Sequence, residues 1–97
     1  MQLLDMARMA VGLTTNHFDP LLEELIEAGF ADLGQVAILV DNRDDPLLKR
    51  AVTTYVTANF PGVKPEDYDR LKASYDEQKA QMMSATGYTD WGPDDEA

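Results

Sequence analysis

The placement of three prolines constrains the fold more than any other feature of this chain. Pro20, Pro46 and Pro65 each stand at the head of a segment with a helical repeat, and two of them follow an aspartate, as Asp19-Pro20 and Asp45-Pro46. Proline lacks the N–H that a first helical turn leaves unpaired, and its ring fixes φ near the helical value, so Asp-Pro reads as cap and then start. Thr14, Thr15 and Asn16 offer further capping oxygens ahead of Pro20. Glu66 and Asp67, just after Pro65, put acids at the positive end of a helix dipole.

The apolar residues between these starts repeat as helices do. Leu3, Leu4, Ala7 and Val11 recur at steps of three and four before Gly12, which predicts a short helix over residues 2–11. From Pro20, one stripe collects Leu22, Leu25, Ile26, Gly29, Leu33, Val36, Ala37 and Val40, with Glu23, Glu24 and Glu27 off it. Gly29 and Gly34 each cost about 1 kcal/mol inside a helix, so this one is expected to end, bend or restart near Gly34. Leu47, Leu48, Ala51, Val52, Tyr55, Val56 and Phe60 mark a third helix over 46–60, closed by Pro61-Gly62. A fourth runs from Pro65 to Ser84 on Tyr68, Leu71, Tyr75 and Met82, with Glu66–Arg70, Asp69–Lys72 and Asp76–Lys79 as expected surface pairs.

The expected fold is all-α, a small bundle of about four helices over residues 1–84 with an extended acidic C-terminal tail over 85–97. Its expected core joins Leu22, Leu25, Ile26, Leu33, Leu48, Val52, Tyr55, Val56, Leu71 and Tyr75. Ninety-seven residues allow one domain, of a size that often gains stability from partner subunits. The apolar runs are too short to span a bilayer, and the start lacks the pattern of a secretory signal, so the product is expected to stay inside the cell that makes it.

Charge narrows the function. With 18 acids against 8 lysines and arginines the net charge is −10, a field that repels nucleic-acid phosphates and anionic lipid. No cysteine is present, so disulfides, thiolate zinc sites and thiol nucleophiles are excluded. His17 has no nucleophile signature around it. Asp41, Arg43 and Asp45 have the alternation of a calcium loop, but Arg43 fills a ligand position, Pro46 replaces the required glycine and Val52 replaces the closing glutamate. No phosphate loop or dinucleotide fingerprint occurs, so neither a catalytic residue nor a cofactor or metal is expected. Lys49 and Arg50, with Arg43 before them, are the one basic concentration. In the tail, Tyr88 and Trp91 follow Met82-Met83 and have the chemistry of interface anchors, which makes these four the candidate docking residues.

Three stretches carry a family resemblance. Residues 45–60, DPLLKRAVTTYVTANF, are similar to a helix of the small head–tail connector proteins of tailed bacteriophages and prophages, also called adaptor or head-completion proteins. Leu25-Ile26-Glu27-Ala28 with Ala31-Asp32-Leu33-Gly34 upstream, and Arg70-Leu71-Lys72-Ala73-Ser74-Tyr75-Asp76 with Gly87-Tyr88-Thr89 downstream, agree in order and spacing. Gly29-Phe30 and the acidic end 93–97 depart from the pattern.

The resemblance implies a virion structural protein that assembles as a ring, usually of about twelve copies, under the portal vertex. That ring joins the portal protein to a downstream tail or stopper protein, and DNA passes through its channel without specific binding. Met82, Met83, Tyr88 and Trp91 are then expected to dock on the portal or a neighbouring copy. Within the ring, Lys49 and Arg50 are expected to face Glu23, Glu24 or Glu27 of the next subunit, since like-charged copies need local compensation. The rival reading is an acidic DNA mimic or regulatory module that occupies a basic site on a nucleic-acid-binding protein.

Overall fold

The computed structural model describes residues 3–36, 38–40 and 42–84. Four helices follow one another: α1 (Leu3–Ala10), α2 (Asp19–Gly34), α3 (Pro46–Asn59) and α4 (Pro65–Ser84). No strand occurs among the described residues, and the fold is all-α.

Each boundary has a chemical cause. Gly12 takes φ +78°, donating to the Met9 carbonyl at 3.2 Å while Leu13 donates to that of Arg8 at 2.9 Å. This double closure satisfies carbonyls that the end of α1 would leave open, and it needs a residue tolerant of the left-handed region. Asp45 caps α3 as expected, its Oδ2 accepting from the N–H groups of Leu47 (3.0 Å) and Leu48 (3.1 Å). Asp19 does something else. Phe18 holds the cap position of α2 with no side-chain cap, and the oxygens of Thr14, Thr15 and Asn16 do not replace one. The Asp19 carboxylate is instead taken by Arg8 of α1, so one dipeptide caps a helix and its twin ties two helices together.

The stripe that reaches Val40 in the sequence outlasts its helix. α2 ends at Gly34, and Leu33 then accepts from the N–H groups of both Val36 and Ile38 at 3.3 Å in a tight turn. Ile38 is buried, and Val36 and Val40 pack on the core from irregular backbone. The apolar signal thus reported burial and not helix. At the far end of α3, Phe60 is extended because Pro61 follows it, and Gly62 at φ +92° turns the chain into α4.

α3 is the central element, packing on α1, α2 and α4. Its sealed face of Leu48, Ala51, Val52 and Val56 meets Leu22, Ile26, Phe30 and Leu33 of α2, Ala7 of α1, and Tyr75 and Met82 of α4 in one cluster. Three residues expected in the core lie at its margin. Leu25 is half-buried because the midline of α2 runs through Leu22, Ile26, Gly29 and Leu33, and Tyr55 is half-buried at the edge of the α2–α3–α4 contact. Leu71 is half-buried because it borders a surface groove. Phe30, by contrast, is core at 2% exposure.

Gly29 is the point of closest approach between α2 and α3. A β-carbon there would lie 3.3 Å from Tyr55 Cδ1 and 3.4 Å from Val52 Cγ1. A β-carbon at Gly34 meets nothing within 4 Å. We therefore predict opposite signs for two similar changes. Gly29→Val should destabilise by about 1–3 kcal/mol through overpacking, whereas Gly34→Ala should be neutral or stabilising by up to about 1 kcal/mol. Thermal melts followed by circular dichroism check both, and a Gly29→Val protein as stable as wild type would refute the packing assignment. Val52→Asp, which buries an unpaired charge in the fully sealed centre, should unfold the domain outright.

Candidate functional site

Three charged clusters tie separate elements together. Arg8 donates from Nε to Asp19 Oδ1 at 2.8 Å and from Nη2 to Oδ2 at 3.0 Å, and from Nη1 to Asp5 Oδ1 at 2.6 Å. The hydrogen bond from Arg8 lowers the Asp19 pKa despite desolvation, and the same contact raises that of Arg8. Arg43 grips Glu27 with both nitrogens, at 2.6 and 2.9 Å, and lies 4.1 Å above the Phe30 ring. Its hydrogen bond lowers the Glu27 pKa. The third cluster centres on Asp32 of α2, whose Oδ2 accepts from Tyr75 Oη at 2.5 Å and from Lys79 Nζ at 3.1 Å, both on α4. Burial alone would push the Asp32 carboxyl up, but Tyr75 and Lys79 outweigh it and leave the group below its ordinary 3.8. Burial first, and then the bond to Asp32, push the Tyr75 phenol well above its usual range.

These clusters revise the expected site residues. Glu27 pairs with Arg43 within the chain at 2.6 Å. Arg43 is thus engaged by Glu27 and the Phe30 ring of α2. Lys49 is half-buried, with Asp44 at 4.0 Å. Arg50, Glu23 and Glu24 are exposed. Met82 is 2% exposed, two helical turns beyond Tyr75 on the same inward face, so it fastens α4 to the core and is not presented to a partner. Met83 is half-buried against that core. Tyr88 and Trp91 lie outside the described residues, as does the whole stretch 85–97.

The surface pairs of α4 also differ from expectation. Arg70 meets Asp67 at 3.6 Å and not Glu66; Lys72 meets Asp76 at 3.4 Å and not Asp69. Lys79 leaves its own helix altogether for Asp32. His17 is exposed in the turn before α2, Asp45 serves as a cap, and Asp41 lies outside the described residues. Among the described residues no group of three potential metal ligands comes together, and no helix is long and apolar enough to cross a membrane.

A groove lies where the end of α1, the last turns of α3, the α3–α4 turn and the start of α4 converge. Its apolar part, about 280 Å³, is walled by Val11, Phe60, Pro61 and Val63, with Ala10 and Thr57 on its floor. A more polar part of about 420 Å³ continues from Ala10, Thr57 and Val63 to Thr53, Thr54, Asp67, Arg70 and Leu71. The Thr53 hydroxyl oxygen is buried without a hydrogen-bond partner. Beside the apolar part, Phe18 packs edge-on to Phe60 at 5.8 Å yet keeps nearly half its surface exposed. No family model, curated protein or solved structure matches the chain. The groove was invisible in the sequence because its lining comes from three helices and the turns beside them, each contributing residues that read as ordinary stripe edges or helix stops.

The Asp32 cluster yields a pH prediction with a definite sign. A carboxyl whose folded pKa lies below its unfolded value adds stability above the unfolded pKa and loses it as pH falls through the folded one. The stability gap between wild type and Asp32→Asn should therefore be constant between about pH 7 and pH 5 and shrink below about pH 4. Tyr75→Phe, which deletes one charge-assisted bond and keeps the ring, should cost about 1–2 kcal/mol at neutral pH. Urea titrations at a series of pH values measure both, and a gap that widens on acidification would reverse the assignment.

Proposed function

We propose that this chain is a head–tail connector subunit of a tailed phage, prophage or related particle. It forms a ring beneath the portal, prolongs the DNA channel and offers its far side to a tail or stopper protein. The observation that carries the reading is the stretch 45–60, whose similarity to the family's helix spans the whole of α3 and its Asp45 cap. The all-α fold is compatible with it. The charge balance supports it physically, since a negative wall lets a duplex slide past without adhering. On this reading the protein is a structural part of the virion and has no catalytic step.

A second reading has one observation in its favour. Glu23 and Glu24 on α2, and Glu66, Asp69 and Glu77 on α4, are exposed, and such carboxylates can imitate a phosphate backbone. The two readings separate by native mass and electron microscopy of the protein mixed with its portal. A ring seated on the portal supports the connector, whereas a stable one-to-one complex with a nucleic-acid enzyme supports the mimic. Of the expected intersubunit pairs, those of Arg50 with Glu23 or Glu24 of the next copy remain open. Arg50→Glu should lower ring yield on the portal, and added salt should act the same way. Ring yield indifferent to both removes that pairing. Submicromolar, salt-sensitive binding to duplex DNA would overturn the passive channel.

A further inference from the structure

We propose that two copies of this chain associate face to face across the end of the bundle that holds the groove, the exposed Phe18 ring of each copy seating between Val11, Phe60 and Val63 of the other. The inference goes beyond the connector reading and does not rest on it: a two-fold contact pairs a surface with itself and closes at two, whereas a ring is built from unlike faces.

Three observations lead there. The first is charge. Residues 9–18 and 51–63 contain no aspartate, glutamate, lysine or arginine, although these types make up 27% of the chain. The fold brings the two runs together, for Ala10 and Val11 of one line the apolar part of the groove with Thr57, Phe60 and Val63 of the other. The first run is flanked by Arg8 and Asp19, which pair with each other at 2.8 Å, and in the polar part of the groove Arg70 pairs with Asp67 at 3.6 Å. Two bodies of charge −10 repel wherever acids meet acids, so this end is where a second copy meets the least opposition. A basic partner would gain more on the acidic faces of α2 and α4.

The second observation is apolar exposure. Phe18 keeps 46% of its surface exposed, and Met9, in the last turn of α1, 66%. Phe18 also holds the cap position of α2, where a serine, threonine or aspartate would supply the acceptor this helix lacks, so the ring displaces a more favourable local choice. Third, the surface is complementary to itself. The projecting ring and the hollow stand side by side, linked by the edge-on contact of Phe18 with Phe60 at 5.8 Å. The hollow, about 280 Å³, has room for such a ring, since a cavity of about 150 Å³ admits benzene. A two-fold contact requires both halves on one surface, and a partner of another kind would need only the hollow.

The test is sedimentation velocity on the full chain from about 1 to 500 μM, the range a small interface demands. A reversible species of twice the chain's mass is expected, with nothing larger. Raising salt from about 0.05 to 0.5 M should tighten the dimer by about threefold or more, because salt screens the repulsion between two acidic bodies. The Arg50 pairing expected in a ring moves the opposite way. Phe18→Ser and Val63→Glu should each weaken the dimer by about tenfold or more. Phe18→Ser gives α2 a capping hydroxyl, so its melting temperature should hold or rise while the dimer is lost. Val63 is half-buried in the α3–α4 turn, outside the sealed core, so its variant also reports association and not folding. In a mixture of isotope-labelled and unlabelled copies, nuclear Overhauser contacts should link the Phe18 ring of one copy to the Val11 and Val63 methyls of the other. Monomer over the whole range, assembly that continues past two, a dimer that salt dissolves, contacts between copies at another face, or a dimer unmoved by both variants would each overturn the proposal. Failure of ring formation on a portal, with this dimer intact, would instead count only against the connector reading.

Discussion

The α2–α3 contact at Gly29 sets the geometry from which the other contacts follow. Because no side chain stands there, Tyr55 and Val52 of α3 fill the space where a β-carbon of α2 would lie. That closeness brings Leu22, Ile26, Phe30 and Leu33 onto the sealed face of α3. It also turns the Tyr55 ring toward α4, where it meets Tyr75 at 5.4 Å and orients that phenol toward Asp32. A glycine that costs helix propensity locally is thus compensated by packing on both sides of the central helix.

The basic residues are largely spent inside the molecule. Arg8, Arg43, Lys49, Lys72, Arg70 and Lys79 all have carboxylates of the same chain within 4.0 Å. The exposed pairs among them add little stability individually. Their collective effect is on the outward field: with these cations neutralised in place, the surface met by a partner is more uniformly acidic than the composition suggests. Any partner that adheres strongly to this face must bring its own positive charge.

Helix number and type were legible because proline starts, glycine stops and 3.6-residue stripes agree over most of the chain. Pro46 with Asp45, Gly12 after α1 and the end near Gly34 are local effects, decided within a few residues. What could not be read were the choices made across the fold. Asp19 and Asp45 look alike in sequence, yet a guanidinium eleven residues upstream claims the first and leaves the second to cap its helix. Tyr75 and Lys79 share a face by spacing, but only packing reveals Asp32 opposite them. Met82 looked like an anchor at the edge of the tail, and its place two turns from Tyr75 was the available sign that it belongs to the core.

α1 stands apart from the other helices in how it is held. It contributes a single sealed residue, Ala7, and is held otherwise by Leu3 and Leu4 at the core's margin, the Arg8 contacts and the turn at Gly12. A short element with so little buried surface opens locally at a far lower free energy than the whole domain, so its amide protons should be the first among the helices to exchange with solvent. Ala10 and Val11 line one side of the groove, while α3, the α3–α4 turn and α4 line the rest. One side of the groove thus belongs to the helix with the fewest sealed residues, though one built into the core, so whatever seats there also bears on the last turn of α1.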